Sequence, residues 1–385
     1  MSWKKLRLGD SATFINGYPF KPTDWNTAGK PIIRIQDLTG NAYELNYFNG
    51  SVPGKYLVQN GDILISWSAS LGVYQWDKGD AWLNQHIFKV VLDKFEVDKT
   101  FFKYLLQEKV EEMKSAVHGA TMKHITKGRF DNIEIKIPDL PTQKYIASIL
   151  DKADALRQQN RQLLNYYDEL LQSTFIEMFG DPVTNTRGWE VKTCGDLILK
   201  IDAGSSFGGE ERDMLESELG VLKISAVTSG YFRSTEYKAV PISLINDNLI
   251  FPKKGDLLFS RANTRELVAA TCIVDEDCDR VFLPDKLWRI SLNLGKCNPY
   301  YLKFLLSQKE LRSNLTKTAT GTSGSMLNIS MDKLRRFVLP VAPIELQNKF
   351  AIIFDKVEAQ KKLVQAALQD TESTFNSLLS SYFKS

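Results

Sequence analysis

The sequence predicts an α+β fold. Two repeated mixed α/β domains are separated by two long helices, which form an antiparallel coiled coil. Three observations predict it: an internal duplication with a period near 200 residues, short strand-like runs in each copy, and two long stretches without Gly or Pro.

The duplication is read residue by residue. Gly61-Asp62-Ile63-Leu64-Ile65-Ser66 returns as Gly255-Asp256-Leu257-Leu258-Phe259-Ser260. Phe102-Lys103-Tyr104-Leu105-Leu106 returns as Leu302-Lys303-Phe304-Leu305-Leu306. Ile137-Pro138 with Pro141 returns as Leu339-Pro340 with Pro343, and Ala147, Ile149, Asp151 and Lys152 return as Ala351, Ile353, Asp355 and Lys356. Loops of different length on a shared framework explain the drifting offset. Aligned on the flanking residues, the link at Pro138–Pro141 is two residues shorter than that at Pro340–Pro343. The period is far too long for a solenoid.

The expected organisation is a first domain over 1–141, a long helix over 142–179, a second domain over 180–343 and a second long helix over 344–385. Within the domains, Pro31–Gln36, Asp62–Ser66 and Ile87–Leu92 read as strands, matched by Val221–Ser225, Asp256–Ser260 and Leu287–Leu292. Asp98 and Asn298 are N-caps for helices running through Leu106 and Leu306. Ile133–Ile137 and Arg336–Leu339 are closing strands, each ended by proline.

The long helices show apolar residues at spacings of three and four. The expected seam runs through Ile149, Leu156, Asn160, Leu163 and Tyr167 in the first, and Ile353, Val357, Gln360 and Val364 in the second. Asn160 and Gln360 are polar interruptions of the kind that set register. At ~1.5 Å per residue each helix is about 55 Å long, too long to pack on its own domain alone. An intramolecular pseudo-two-fold would pair the helices antiparallel, with the domains at opposite ends.

Composition narrows the class. With 43% hydrophobic and 25% charged residues the chain is an ordinary globular protein. No apolar run could span a membrane and no signal peptide follows Met1, so a cytoplasmic location is expected. Net charge is +3, and residues 1–140 and 181–342 each carry an excess of two basic groups. Cys194, Cys272, Cys278 and Cys297 all lie in the second half, whereas His86, His118 and His124 lie in the first. That separation argues against a zinc site and for buried or half-buried free thiols.

Catalytic signatures are missing. The chain has no phosphate-binding G-x-x-x-x-G-K-[ST] loop, no G-x-S-x-G elbow and no H-E-x-x-H helix. Gly204-Ser205-Ser206-Phe207-Gly208-Gly209 reads as a polar turn. Asn298-Pro299-Tyr300-Tyr301 is similar to the Asn-Pro-Pro-Tyr loop of amino-group methyltransferases but lacks the second proline, and the repeat aligns it with a helix start. Glu134-Ile135-Lys136 has the E-x-K spacing of restriction nucleases, yet strand alternation around a buried Ile135 explains it, and neither charge recurs in the repeat.

Over nearly its whole length the chain resembles the specificity subunit of type I restriction–modification systems. The residues that carry this resemblance are Gly255-Asp256-Leu257-Leu258-Phe259-Ser260-Arg261, Ile137-Pro138-Asp139-Leu140-Pro141-Thr142-Gln143 with Leu339-Pro340-Val341-Ala342-Pro343 through Gln347, and Met178-Phe179-Gly180-Asp181-Pro182 with Gly188-Trp189. The resemblance implies two target-recognition domains, each reading half of a split double-stranded DNA target. It implies that the helices act as spacer and as dock for two modification subunits, with restriction subunits as further partners. It also implies a non-catalytic chain that binds no cofactor. S-adenosylmethionine, and ATP with Mg for restriction, would sit on the partners, and no membrane is involved.

Candidate DNA-contacting residues follow framework strands or sit in polar loops. In the second domain they are Arg261, Asn263, Thr264 and Arg265, since Arg suits guanine and Asn suits adenine. In the first they are Ser66, Trp67, Ser68, Lys123 and His124, with Lys21 as a phosphate contact. Trp67 divides between base contact and core, and His124 is the counterpart of Asn328. The competing readings are a coiled-coil scaffold with protein-binding heads and an enzyme that methylates or cuts DNA alone.

Overall fold

The computed structural model describes residues 3–40, 44–68, 70–116, 127–245, 248–321 and 326–384. The chain folds as two units: Met1–Gln162 with Gln365–Ser385, and Leu163–Val364.

In the first unit, a four-stranded antiparallel sheet runs in the order Thr13–Asn16, Ile87–Val91, Ile63–Ser66, Gly72–Gln75. A second sheet orders Asn46–Phe48, Lys30–Ile33, Ala81–Leu83 and Leu57–Val58, and its central pair is parallel. Lys4–Arg7 pairs with Glu134–Ile137, which alternates outward Glu134 and Lys136 with inward Ile135 and Ile137. The second unit repeats the plan. Its larger sheet orders Ile198–Ala203, Leu287–Leu292, Leu257–Ser260 and Thr271–Ile273. Its smaller one orders Tyr237–Pro241, Glu218–Leu222 and Val281–Phe282, again with one parallel pair.

The duplicated Gly-Asp motif recurs for a backbone reason. Gly61 and Gly255 both adopt a left-handed conformation, at φ +87° and +90°, which a side chain would disfavour. The following aspartate then accepts a backbone N–H three residues upstream, at 2.9 Å from Gln59 and 2.8 Å from Lys253. Gly17 and Gly204 recur for another reason. A Cβ at either would lie 1.9 Å from a backbone carbonyl, Asn84 in one unit and Leu283 in the other. Gly204 therefore ends a strand at a close backbone approach.

The long helices span Leu140–Phe179 and Ile344–Phe383, 40 residues each. Asp98 and Asn298 cap the preceding helices, accepting the N–H of Phe101 and Tyr300. Asn298-Pro299 is thus a helix start with proline at its first position, not a catalytic loop. Buried Gln143 and Gln347 clamp both junctions. Each accepts the cap residue's N–H at 2.8 Å. Each also donates to a carbonyl five residues upstream, Pro138 at 2.8 Å and Ala342 at 2.7 Å.

These bonds correct the sequence alignment. Pro138 is equivalent to Ala342, so the two links have equal length and the prolines do not correspond. Pro340 does not end its strand either. It lies inside Val338–Val341, opposite Val191 in a two-stranded ladder, where a missing N–H is tolerated.

Each unit contains the start of one long helix and the end of the other. In the first, Ile146, Ala147 and Leu150 share a core with Phe375, Leu379 and Phe383. In the second, Phe350, Phe354 and Val357 share one with Leu171, Phe175 and Phe179. Within each unit the helices therefore run antiparallel. Arg157 lies over Phe375 and Asn160 meets Thr371 in the first unit; Asp168 meets Lys361 in the second.

The seam differs from the expected stripe. Asn160 and Tyr167 are half-buried within it and Val357 is buried. Ile149, Ile353 and Val364 are half-buried. Leu156 and Leu163, however, are 54% and 38% exposed, and Gln360 is exposed. Its neighbour Lys361 is buried instead, donating to Asp168 at 2.6 Å, to Glu358 at 3.1 Å and to the Tyr231 hydroxyl. Burial would lower its ammonium pKa, but the bonds to Asp168 and Tyr231 outweigh that and raise it. Lysine stems lie along apolar surface while their heads find carboxylates, so a search for apolar residues misses such a seam position.

Two outcomes are expected. Gln347→Ala leaves the Asn298 N–H without its acceptor and costs the second unit about 1–3 kcal/mol, read from its unfolding midpoint. All four cysteines are buried and unpaired, and burial pushes Cys194, Cys272 and Cys297 up to about 12 and Cys278 up to about 11. A disulfide-exchange reagent at pH 8 should label the native chain negligibly and the denatured chain at all four.

Candidate nucleic-acid interface

Ser66, Trp67 and Ser68 in the first unit, and Arg261, Asn263, Thr264 and Arg265 in the second, lie at or just beyond the end of an inner strand of the larger sheet. In the second unit this strand is Leu257–Ser260, and Arg261 follows it. Its backbone N–H donates to the Lys286 carbonyl at 3.0 Å, and its own carbonyl accepts from Ile329. The guanidinium is fixed by three bonds: to the Asp285 carbonyl at 2.8 Å, the Asp285 carboxylate at 3.0 Å and the Asn328 side chain at 2.9 Å. It also lies over the Trp288 ring. A guanidinium has five N–H donors, so its outer edge keeps donors to offer.

The Asp285 carboxylate also accepts from Ser206. Burial alone would raise its pKa, but Ser206 and Arg261 reverse that and hold it below the usual carboxylate range. Asn263 pairs with Leu327 in a short ladder, and its side chain accepts the Thr264 N–H at 2.8 Å. Beyond it Thr264, Arg265 and Glu266 are exposed. Arg312 anchors this loop by donating to the Glu266 and Val268 carbonyls at 2.9 and 3.2 Å.

The first unit holds different side chains at the same place. Trp67 follows Ile63–Ser66, and its N–H donates to the His86 carbonyl at 3.2 Å, matching Arg261 and Lys286. The indole stacks on Phe88 at 5.7 Å, meets His86 edge-on at 4.9 Å and donates to Asn16 at 3.1 Å. Trp67 is therefore half core and half surface. Ser66 is fully buried, with its hydroxyl donating to the Ser70 carbonyl, and Ser68 is only 7% exposed. The framework therefore encloses both serines. Lys21 is exposed, in a turn where its N–H is held by Asp24 at 2.7 Å. Lys123 and His124 lie outside the described residues.

The sequence reading did not assign Ser206, Asp285 or His86 to this place. Asp285 and Ser206 come from distant loops whose convergence only the fold creates. His86 carried a signal only in hindsight: it adopts φ +72°, a conformation that favours glycine. Among the described residues no cluster of His, Cys, Asp or Glu could hold a metal ion. Nor is any helix long and apolar enough to cross a membrane.

Residues 1–166 match the type I restriction modification DNA specificity domain. The EcoBI specificity subunit of Escherichia coli is 23% identical over 411 aligned positions, covering 100% of this chain and 86% of the relative. The chain is thus similar over its full length to a type I restriction enzyme specificity subunit. The MjaVIII specificity subunit of Methanocaldococcus jannaschii is 21% identical, with 96% and 88% covered. The fold agrees with the crystal structure of the S subunit from M. genitalium, at TM-score 0.57, 14% identity and 100% and 96% coverage. In this specificity-subunit fold, the two copies share a backbone frame at the central strand end and fill it with different polar and aromatic groups.

Proposed function

We propose that this chain is the non-catalytic DNA-reading subunit of a type I restriction–modification complex, each recognition domain reading half of a bipartite duplex target. The observation that carries it is the pair of equivalent strand ends, Trp67 with His86 and Asn16 in one copy, Arg261 with Asp285 and Asn328 in the other. A repeated frame with different side chains at one place suits two different half-sites. Arg261 would read a guanine with its free edge, and Lys21 and Arg265 would hold phosphates.

The long helices would set the spacing and dock the modification subunits. Those partners would supply S-adenosylmethionine-dependent adenine methylation, and restriction subunits the ATP-driven cleavage, all in the cytoplasm. An adenine would leave the stack to reach a partner's active site.

Selection from a random duplex pool, with the modification subunits co-purified, should return two motifs separated by a fixed unread gap. Removing one heptad from each helix preserves the seam, shortens the helices by about 10 Å and should shorten the gap by about three base pairs. A single motif, or none, overturns the proposal in favour of a protein-binding scaffold. Arg261→Lys should lose about 1–3 kcal/mol of discrimination at one position of one half-site. Lys21→Ala should weaken all sequences alike and flatten the salt dependence. Both are read from binding isotherms on target and single-substitution duplexes.

A further inference from the structure

The first unit contains a cleft of about 640 Å³ that none of the recognition candidates lines. Its floor is the ladder between Lys4–Arg7 and Glu134–Ile137, and the end of the second long helix forms a wall. Lys5 and Lys136 are direct partners across this ladder, so they share one face at close range. Like charges placed opposite each other destabilise a ladder. Lys109 and Lys384 line the same cleft. Lys109 is paired with Glu112 at 2.9 Å, but Lys5, Lys136 and Lys384 form no ion pair among the described residues. Glu134 also lines it, opposite Arg7 in the ladder.

The fold itself does not require this charge. At the equivalent ladder position the second unit has Val191 opposite Pro340. Lysine on an edge strand deters aggregation, yet that purpose needs no concave ring of cations beside aromatic walls. Trp3 and Tyr382 supply those walls. A ligand that satisfies the lysines and the aromatic walls is both anionic and apolar, and slender enough to enter a concavity. Duplex phosphates lie on a convex cylinder and reach only the rim.

We propose that this cleft binds an acidic segment of another polypeptide, one that carries aromatic side chains among its carboxylates. The proposal does not depend on the DNA reading of the strand ends.

The test uses the full chain and a fluorescently labelled Glu/Phe peptide, with its Gln/Phe counterpart, followed by anisotropy. The acidic peptide should bind and weaken steeply with salt; the neutral one should not bind. Lys5→Glu converts the like-charged pair into an opposite-charged one, so its melting temperature should hold or rise while peptide affinity falls about tenfold. Lys200→Glu, on an exposed strand of the second unit, should leave affinity unchanged. Equal binding of both peptides, or unchanged affinity in Lys5→Glu, overturns the proposal. So does displacement of the probe by non-specific duplex or ATP but not by unlabelled acidic peptide.

Discussion

Everything in this architecture depends on the aromatic ends of the two long helices. Phe175 and Phe179 lie in the core of the second unit against Phe350, Tyr301 and Phe304. Phe375 and Phe383 lie in the core of the first, against Tyr104 and Phe101. A fully buried phenylalanine is worth about 3–5 kcal/mol against alanine, so these rings are not decoration on a preformed domain. The first unit is not closed by contiguous chain: it needs Gln365–Ser385 as well as Met1–Gln162. The helices are consequently structural members of both units as well as a candidate spacer.

This explains which parts of the fold were legible. The duplication could be read because the framework repeats its backbone demands. A left-handed Gly before a capping Asp, and a Gly where two strands meet at van der Waals distance, leave no choice of residue. Gln143 and Gln347 were visible as part of a motif, but their role as junction clamps was not. Aligning the chain on its prolines displaced the register by two residues. Proline signals what a position excludes, a donor, whereas the glutamine signals what the junction needs, an acceptor and a donor together.

The helix seam was less legible for a physical reason. The first long helix carries apolar residues on more than one face: Leu156, Leu163 and Leu170 are exposed while Leu150, Leu171 and Phe175 are buried. Hydrophobic spacing alone cannot choose between faces. The seam also admits charge, at Lys361 with Asp168 and at Arg157 over Phe375 with Asp154 beside it. Partnered charges can occupy such positions because their stems pack and their heads are satisfied.

The candidate interface was legible in place but not in detail. The strand-end position of Arg261 follows from the repeat, and so does that of Trp67. What the sequence concealed was the partners that orient them, since Asp285, Ser206 and Asn328 converge from three separate segments. The same separation has a functional consequence. Framework glycines and clamping glutamines answer to the backbone and tolerate little change. The side chains at the strand ends differ while the backbone pattern is kept: Trp67 and His86 stand where the second copy has Arg261 and Lys286, and the N–H of Trp67 donates to the His86 carbonyl as that of Arg261 does to Lys286. A duplicated frame of this kind can change what one copy presents without disturbing the other.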